Sequence, residues 1–168
     1  INQIKHHESK ELTDLYLNTY AQATDGNFKR QLSTALAYTT DAGTVEKILT
    51  EWKNKDVVKP QDLAMSWYLT FLHHEFTQES AWTWARENWE WVKAALGGDM
   101  SFDKFVIYPA NTFKTAERLA EFKAFFEPQL SDMAISRNIS MGIKEIAARV
   151  DLIQREKAAV EAAILATK

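Results

Sequence analysis

No cysteine occurs in the chain, which excludes disulfides, thiolate metal sites and cysteine nucleophiles while fitting either redox compartment. Glycine is scarce, five residues in 168, and nowhere forms a loop of the kind that cradles phosphate. No segment is apolar and uncharged for long enough to cross a bilayer. Neither charge sign dominates: the formal net charge is −3 with the signs interspersed, so nothing points to a polyanion such as nucleic acid. Alternating strand patterns of useful length are absent. So are a G-x-S-x-G motif, a paired-carboxylate arrangement and a charged-then-apolar signal segment. The chain begins at Ile1, for which a start inside a longer polypeptide is the simplest expectation. The length fits one domain able to bury a substantial core, and the chain is read as a single domain over 1–168.

What the chain does have is tryptophan, and four of its six residues fall between Ala81 and Gly98. At helical spacing Trp82, Ala85, Trp89, Val92 and Leu96 make one apolar stripe. Ala81, Trp84, Trp91 and Ala95 make a second beside it, interrupted by Asn88. A helix apolar over most of its circumference requires cover on two sides. The reading is therefore an all-α body of stacked helices.

Capping residues punctuate the rest. Ser9 caps a helix that buries Leu12, Leu15, Tyr16, Thr19, Tyr20 and Ala23, and Asp25-Gly26 stops it. Phe28, Leu32, Ala35 and Leu36 line the next, ended by Asp41-Ala42-Gly43. Thr44 is expected to cap a helix carrying Val45, Ile48, Leu49 and Trp52 inward. Pro60 starts one that buries Leu63, Ala64, Trp67, Tyr68, Phe71 and Leu72. Thr77 is expected to cap the tryptophan helix, which Gly97-Gly98 closes. Ser101 opens a short helix ended near Pro109. Thr115 caps one that buries Leu119, Phe122 and Phe126 and ends at Pro128.

The junctions Thr40 to Thr44, Phe76 to Ser80 and Phe113 to Glu117 look alike. Their spacing of roughly 35 residues is that of helix-pair solenoids. The fold class is accordingly an α-α superhelix of HEAT/armadillo-like pairs, with an irregular helical bundle as the alternative. Ile139, Ile143, Ile146, Val150, Ile153, Val160 and Ile164 keep near-heptad spacing, broken by Lys157. They predict one long helix from about Ile139 to Ala166 that lies across earlier helices and closes the array. Glu145–Arg149 and Asp151–Arg155 are expected i,i+4 pairs on its outer face.

One segment invites a metal reading. From His74 the sequence runs H-E-F-T-Q, one residue short of H-E-x-x-H, in which two histidines a helical turn apart share zinc while glutamate activates water. Gln78 stands where the second histidine is needed. His73, His74 and Glu75 are therefore read as a polar helix end beside a turn. His6-His7 is less specific still, and Glu8, Glu11 and Asp14 read as a solvated face.

The segment from Phe76 to Leu130 resembles the C-terminal helical domain of aminopeptidase N and puromycin-sensitive aminopeptidase relatives. The residues that carry the resemblance are Ala81-Trp82-Thr83-Trp84, Glu87-Asn88-Trp89 and Gly97-Gly98, then Phe113, Thr115, Glu117, Leu119, Phe125 and Phe126. The later run ISMGIKEIAARVDLIQREKAAV is similar to the near-terminal helix of lactic-acid-bacterial members. The resemblance implies a non-catalytic piece of a cytoplasmic zinc metallo-aminopeptidase, roofing the active site and enclosing a cavity for peptides. Zinc and its ligands would then lie in upstream domains of the same polypeptide, the expected partner, with no metal or catalytic residue in this chain. Neither nucleic acid nor membrane is expected as a partner. A free-standing helical-repeat module that binds a protein or peptide is the alternative. A helical hydrolase around His73, His74 and Glu75 is a third.

If the resemblance holds, a cavity wall can attract the trailing carboxylate of a peptide with arginine. Arg137 has no acidic residue at i±3 or i±4 and is the first candidate. Arg149 is the second.

Overall fold

The computed structural model describes Ile1, Ile4 and residues 9–166, and within that range every regular element is helical. The all-α expectation holds. His6, His7 and Glu8 lie outside the described residues. The chain packs as two compact units, Ile1–Phe105 and Val106–Lys168.

In the first unit α1 spans Lys10–Gln22, with the Ser9 hydroxyl accepting the Leu12 N–H at 3.2 Å. Its buried face is Thr13, Leu17 and Tyr20. Leu15, expected inside, is 58% exposed. Two apolar stripes overlap on this short helix, and the large Tyr20 ring, edge-on to Trp67 at 4.9 Å, settles which one turns inward. Asp25 caps α2, Gly26–Leu36, instead of merely ending α1. Phe28, in the first turn of α2, is exposed.

Helix α3, Ala42–Glu51, is capped by Asp41, whose carboxylate accepts the Thr44 N–H at 2.7 Å. Thr44, expected as the cap, lies buried inside the first turn. Asp caps as well as Thr, and its charge also meets the positive helix end. A longer run follows: α4, Pro60–Asp62, a π-helical turn, Leu63–Tyr68, and α5, Leu69–His73. Leu63, Ala64, Trp67, Tyr68, Phe71 and Leu72 are all fully buried along it, as the pattern predicted.

The tryptophan segment is two helices, not one: α6, Glu75–Glu87, and α7, Trp89–Leu96. Asn88 sits between them at φ −109°, ψ 19°. Its side-chain amide donates to the Trp84 carbonyl at 2.8 Å, competing with the backbone for that acceptor. The expected apolar stripe survives the break, since Trp82, Ala85, Trp89, Val92 and Leu96 are all buried. On the second stripe Ala81 and Trp84 are buried, whereas Trp91 and Ala95 are partly exposed.

Aromatic rings fill this core. Trp52 lies edge-on to Trp84 at 5.0 Å and to Phe71 at 5.2 Å, and Trp89 stacks on Phe102 at 5.4 Å. Such pairs contribute about 0.5–1.5 kcal/mol each beyond the area they bury.

In the second unit the expected stop at Pro109 does not occur. Helix α8, Lys104–Thr112, runs through it, and the unit boundary falls inside this helix after Phe105. Proline forfeits one i→i−4 hydrogen bond, but the apolar face holds the turn together, with Val106 and Ala110 buried. Thr115 caps α9, Ala116–Phe126, accepting the Arg118 N–H at 3.3 Å. A 3-10 turn at Glu127–Gln129 ends it beside Pro128.

Helix α10, Ser136–Ala166, begins a turn earlier than the apolar spacing implied. It buries Ile139, Gly142, Ile146 and Val150. A Cβ on Gly142 would meet Ala110 Cβ at 2.8 Å and the Phe122 ring at 3.0 Å, so α10 approaches α8 and α9 more closely than any larger residue permits. Beyond Val150 the expectation fails: every residue from Asp151 to Ala166 is exposed. The seam continues in register past Val150, interrupted by Lys157, and its residues there are exposed.

Candidate functional site

The His73-His74-Glu75 segment is a corner between helices. His73 closes α5, with Nδ1 2.7 Å from the Leu69 carbonyl oxygen. His74 is extended at φ −103°, ψ 129°, and α6 begins at the next residue. Thr77 and Gln78 then turn back across the corner. The Thr77 hydroxyl donates to the Phe71 carbonyl at 2.8 Å, and the Gln78 amide donates to that of Leu72 at 2.7 Å. Thr77 thus caps the end of α5 and not the start of α6, which corrects the expectation. With a single residue between the helices, the terminal α5 carbonyls of Phe71 and Leu72 lie nearest. The His74 ring packs on Tyr38 at 4.1 Å. Burial and the adjacent His73 hold its pKa below the usual imidazole value. Among the described residues no group of three or more His, Cys, Asp or Glu is placed to hold a metal ion.

Arg149 does not pair with Glu145. Its guanidinium donates to the Ala110 carbonyl at 2.9 Å and to that of Phe113. These oxygens lie at the end of α8, and both residues are buried. Both bonds leave from the same nitrogen, Nη1, whose two protons serve one carbonyl each. The sequence carried no sign of this, because the acceptors are 36 and 39 residues away. The Asp151–Arg155 pair forms as expected, at 3.3 Å.

Arg137 lies in the first turn of α10 and not before it. It is exposed and has no carboxylate partner among the described residues. A cation at the positive end of a helix is electrostatically disfavoured there, so its charge is directed outward to whatever anion can reach it. The structure does not bring Arg137 and Arg149 together into one cation cluster.

A feature that the sequence pattern missed is a cleft of about 580 Å³ between α3 and α6. Val45, Leu49, Trp84 and Phe76 give it an apolar wall, and Glu46 and Glu87 stand among its polar residues. Phe76 is 61% exposed at this cleft. Each of these positions reads as ordinary helix sequence, and only their packing makes a concavity.

Comparison with known proteins places these features. Residues 2–148 match the family described as ERAP1-like C-terminal domain. Aminopeptidase N of Lactococcus lactis subsp. lactis is 57% identical over 164 residues, covering 98% of this chain and 19% of that protein. Aminopeptidase N of Lactobacillus helveticus is 42% identical over 164 residues, again 98% of this chain and 19% of that protein. Aminopeptidase N of Lactobacillus delbrueckii subsp. lactis is 40% identical over 166 residues, or 99% of this chain and 20% of that protein. The chain spans about a fifth of the length of the curated relatives it matches, at their C-terminal end. With a capped helical array, a tryptophan core and this match over most of its length, the chain belongs to the ERAP1-like C-terminal domain family and corresponds to the C-terminal domain of an aminopeptidase.

Proposed function

We propose that this chain is the non-catalytic C-terminal domain of a zinc-dependent aminopeptidase that removes N-terminal residues from peptides. In that role it roofs the active site and shapes the cavity that holds the peptide. The observation that carries the proposal is the match to the C-terminal fifth of aminopeptidase N sequences, together with the family match over residues 2–148. An α-α superhelix of HEAT/armadillo-like pairs and a cytoplasmic setting belong to the same reading. Zinc is assigned to residues upstream of this chain, where it would supply a polarised carbonyl and an activated water. The contribution of this chain is to position the peptide.

Arg137 is the residue assigned to that task. A peptide enters with its carboxylate trailing behind the scissile bond, and an exposed arginine without an internal partner is free to meet it. Arg149 is already committed to the Ala110 and Phe113 carbonyls, so the task falls to Arg137. In the full-length aminopeptidase, Arg137→Ala should raise KM for tetrapeptides about five-fold, which is roughly 1 kcal/mol for a solvent-screened contact. Single aminoacyl-anilides should be hydrolysed as before. An equal loss on short and long substrates, or no loss on either, rejects the assignment.

A further inference from the structure

The cleft between α3 and α6 joins an apolar wall to charges of both signs. Val45, Leu49, Phe76 and Trp84 make the wall, and Phe76 is 61% exposed. Glu46 on α3 and Glu87 on α6 line it as well, and so does Lys53, which directly follows the Trp52 cap of α3. All three charged side chains are exposed, and none forms an ion pair or hydrogen bond among the described residues. By contrast, Lys47 on α3 pairs with Asp14, and Arg86 on α6 with Glu79 at 3.8 Å. Every lining residue falls within 40–88, so the first unit alone builds the cleft. An apolar wall with a few polar groups around about 580 Å³ is the make-up of a site for a small ligand.

We propose that this cleft binds a short apolar peptide with both ends free. Its ammonium meets Glu46 and Glu87, its carboxylate meets Lys53, and its side chain lies on Phe76 and Trp84. Charge complementarity selects this occupant. A purely apolar ligand would leave all three charges unused, and a polyanion would face two carboxylates against one ammonium. That same excess of one negative charge makes the free amino group the stronger anchor. Glu46 and Lys53 are seven residues apart, about 10 Å along the helix axis at 1.5 Å per residue. An extended peptide of roughly two or three residues spans that distance at about 3.3 Å each. Phe76 and Trp84 then supply flat apolar area to the side chain between the two charged ends.

The proposal rests on the cleft itself and not on the cavity role of Arg137, which the tetrapeptide kinetics test separately. Calorimetry on the 168-residue chain decides it, with leucyl-leucine as the probe. The expected result is saturable one-to-one binding, about ten-fold weaker for N-acetyl-leucyl-leucine and less weakened for leucyl-leucine amide. Glu46→Gln should weaken the free peptide about five-fold and leave the acetylated one unchanged. Phe76→Ala, at an exposed position, should weaken both. Hydrogen exchange should slow in 42–53 and 76–88 when the free peptide is added. Absence of saturable binding, or equal affinity for the free and acetylated peptides, overturns the proposal on the unaltered chain. A dimer by light scattering that Phe76→Ala converts to monomer would give the cleft to a second copy instead. In the full-length aminopeptidase, protection of both segments before any peptide is added would give it to an upstream element, and the proposal would fall.

Discussion

The tryptophan helices α6 and α7 and the terminal helix α10 solve the same problem in opposite ways. The first pair is short, interrupted at Asn88 and covered by large rings on more than one side. The second is a 31-residue unbroken helix that packs through small and aliphatic residues along half its length only. In the aromatic region, stability resides in side-chain volume and tolerates a backbone break. In α10 it resides in the close approach at Gly142 and in one charged cap, and the exposed half carries i,i+4 ion pairs such as Asp151–Arg155.

The contrast is sharpest at Trp89. Trp89→Ala should destabilise by about 3–5 kcal/mol, because it empties a large buried site stacked on Phe102. Glu90→Ala, on the exposed neighbour, should stay within about 0.5 kcal/mol. Denaturant midpoints measured on both variants give the comparison, and equal midpoints would show that the aromatic stripe is not what holds α7.

Arg149 probes the other region. Arg149→Ala should cost roughly 1.5–3 kcal/mol, since it leaves the Ala110 and Phe113 carbonyls buried without their charged donor. Arg149→Lys should recover part of the loss, because an ammonium keeps the charge and enough protons for both carbonyls but sits on a shorter side chain. Full recovery with lysine would show that charge alone, whatever the reach of the side chain, holds the end of α8.

The smallest expected effect is pH-dependent. Burial keeps the folded-state pKa of His74 below its unfolded value near 6.5, so below that value the unfolded chain binds more protons than the folded one. Stability should therefore be fully present above about pH 6.5 and decline as the pH falls toward the lowered folded-state value. His74→Gln should flatten this part of the profile in thermal unfolding between pH 7.5 and 5.5. An unchanged profile would assign the dependence to other groups.

Much of this was legible before any packing was known. Ser9, Pro60 and Thr115 mark helix starts because capping and proline geometry act within four residues. The Trp82–Leu96 stripe was legible because burial repeats with the helical period. Local rules also explain the misses. Thr44 and Asp41 can both cap, and Thr77 can serve either the start of α6 or the end of α5, so the outcome turned on which backbone groups lay nearest after folding. Pro109 breaks a helix only when nothing else holds the turn.

The sequence by itself determined the all-helical class, most of the apolar faces and the family, since these follow from short-range period and from motif residues at their own positions. Tertiary structure alone decided the partner of Arg149, the cleft between α3 and α6, the tight contact at Gly142 and the point on α10 where burial stops. Each of those depends on atoms brought together from distant parts of the chain, and an i,i+4 rule carries no information about a carbonyl 39 residues away.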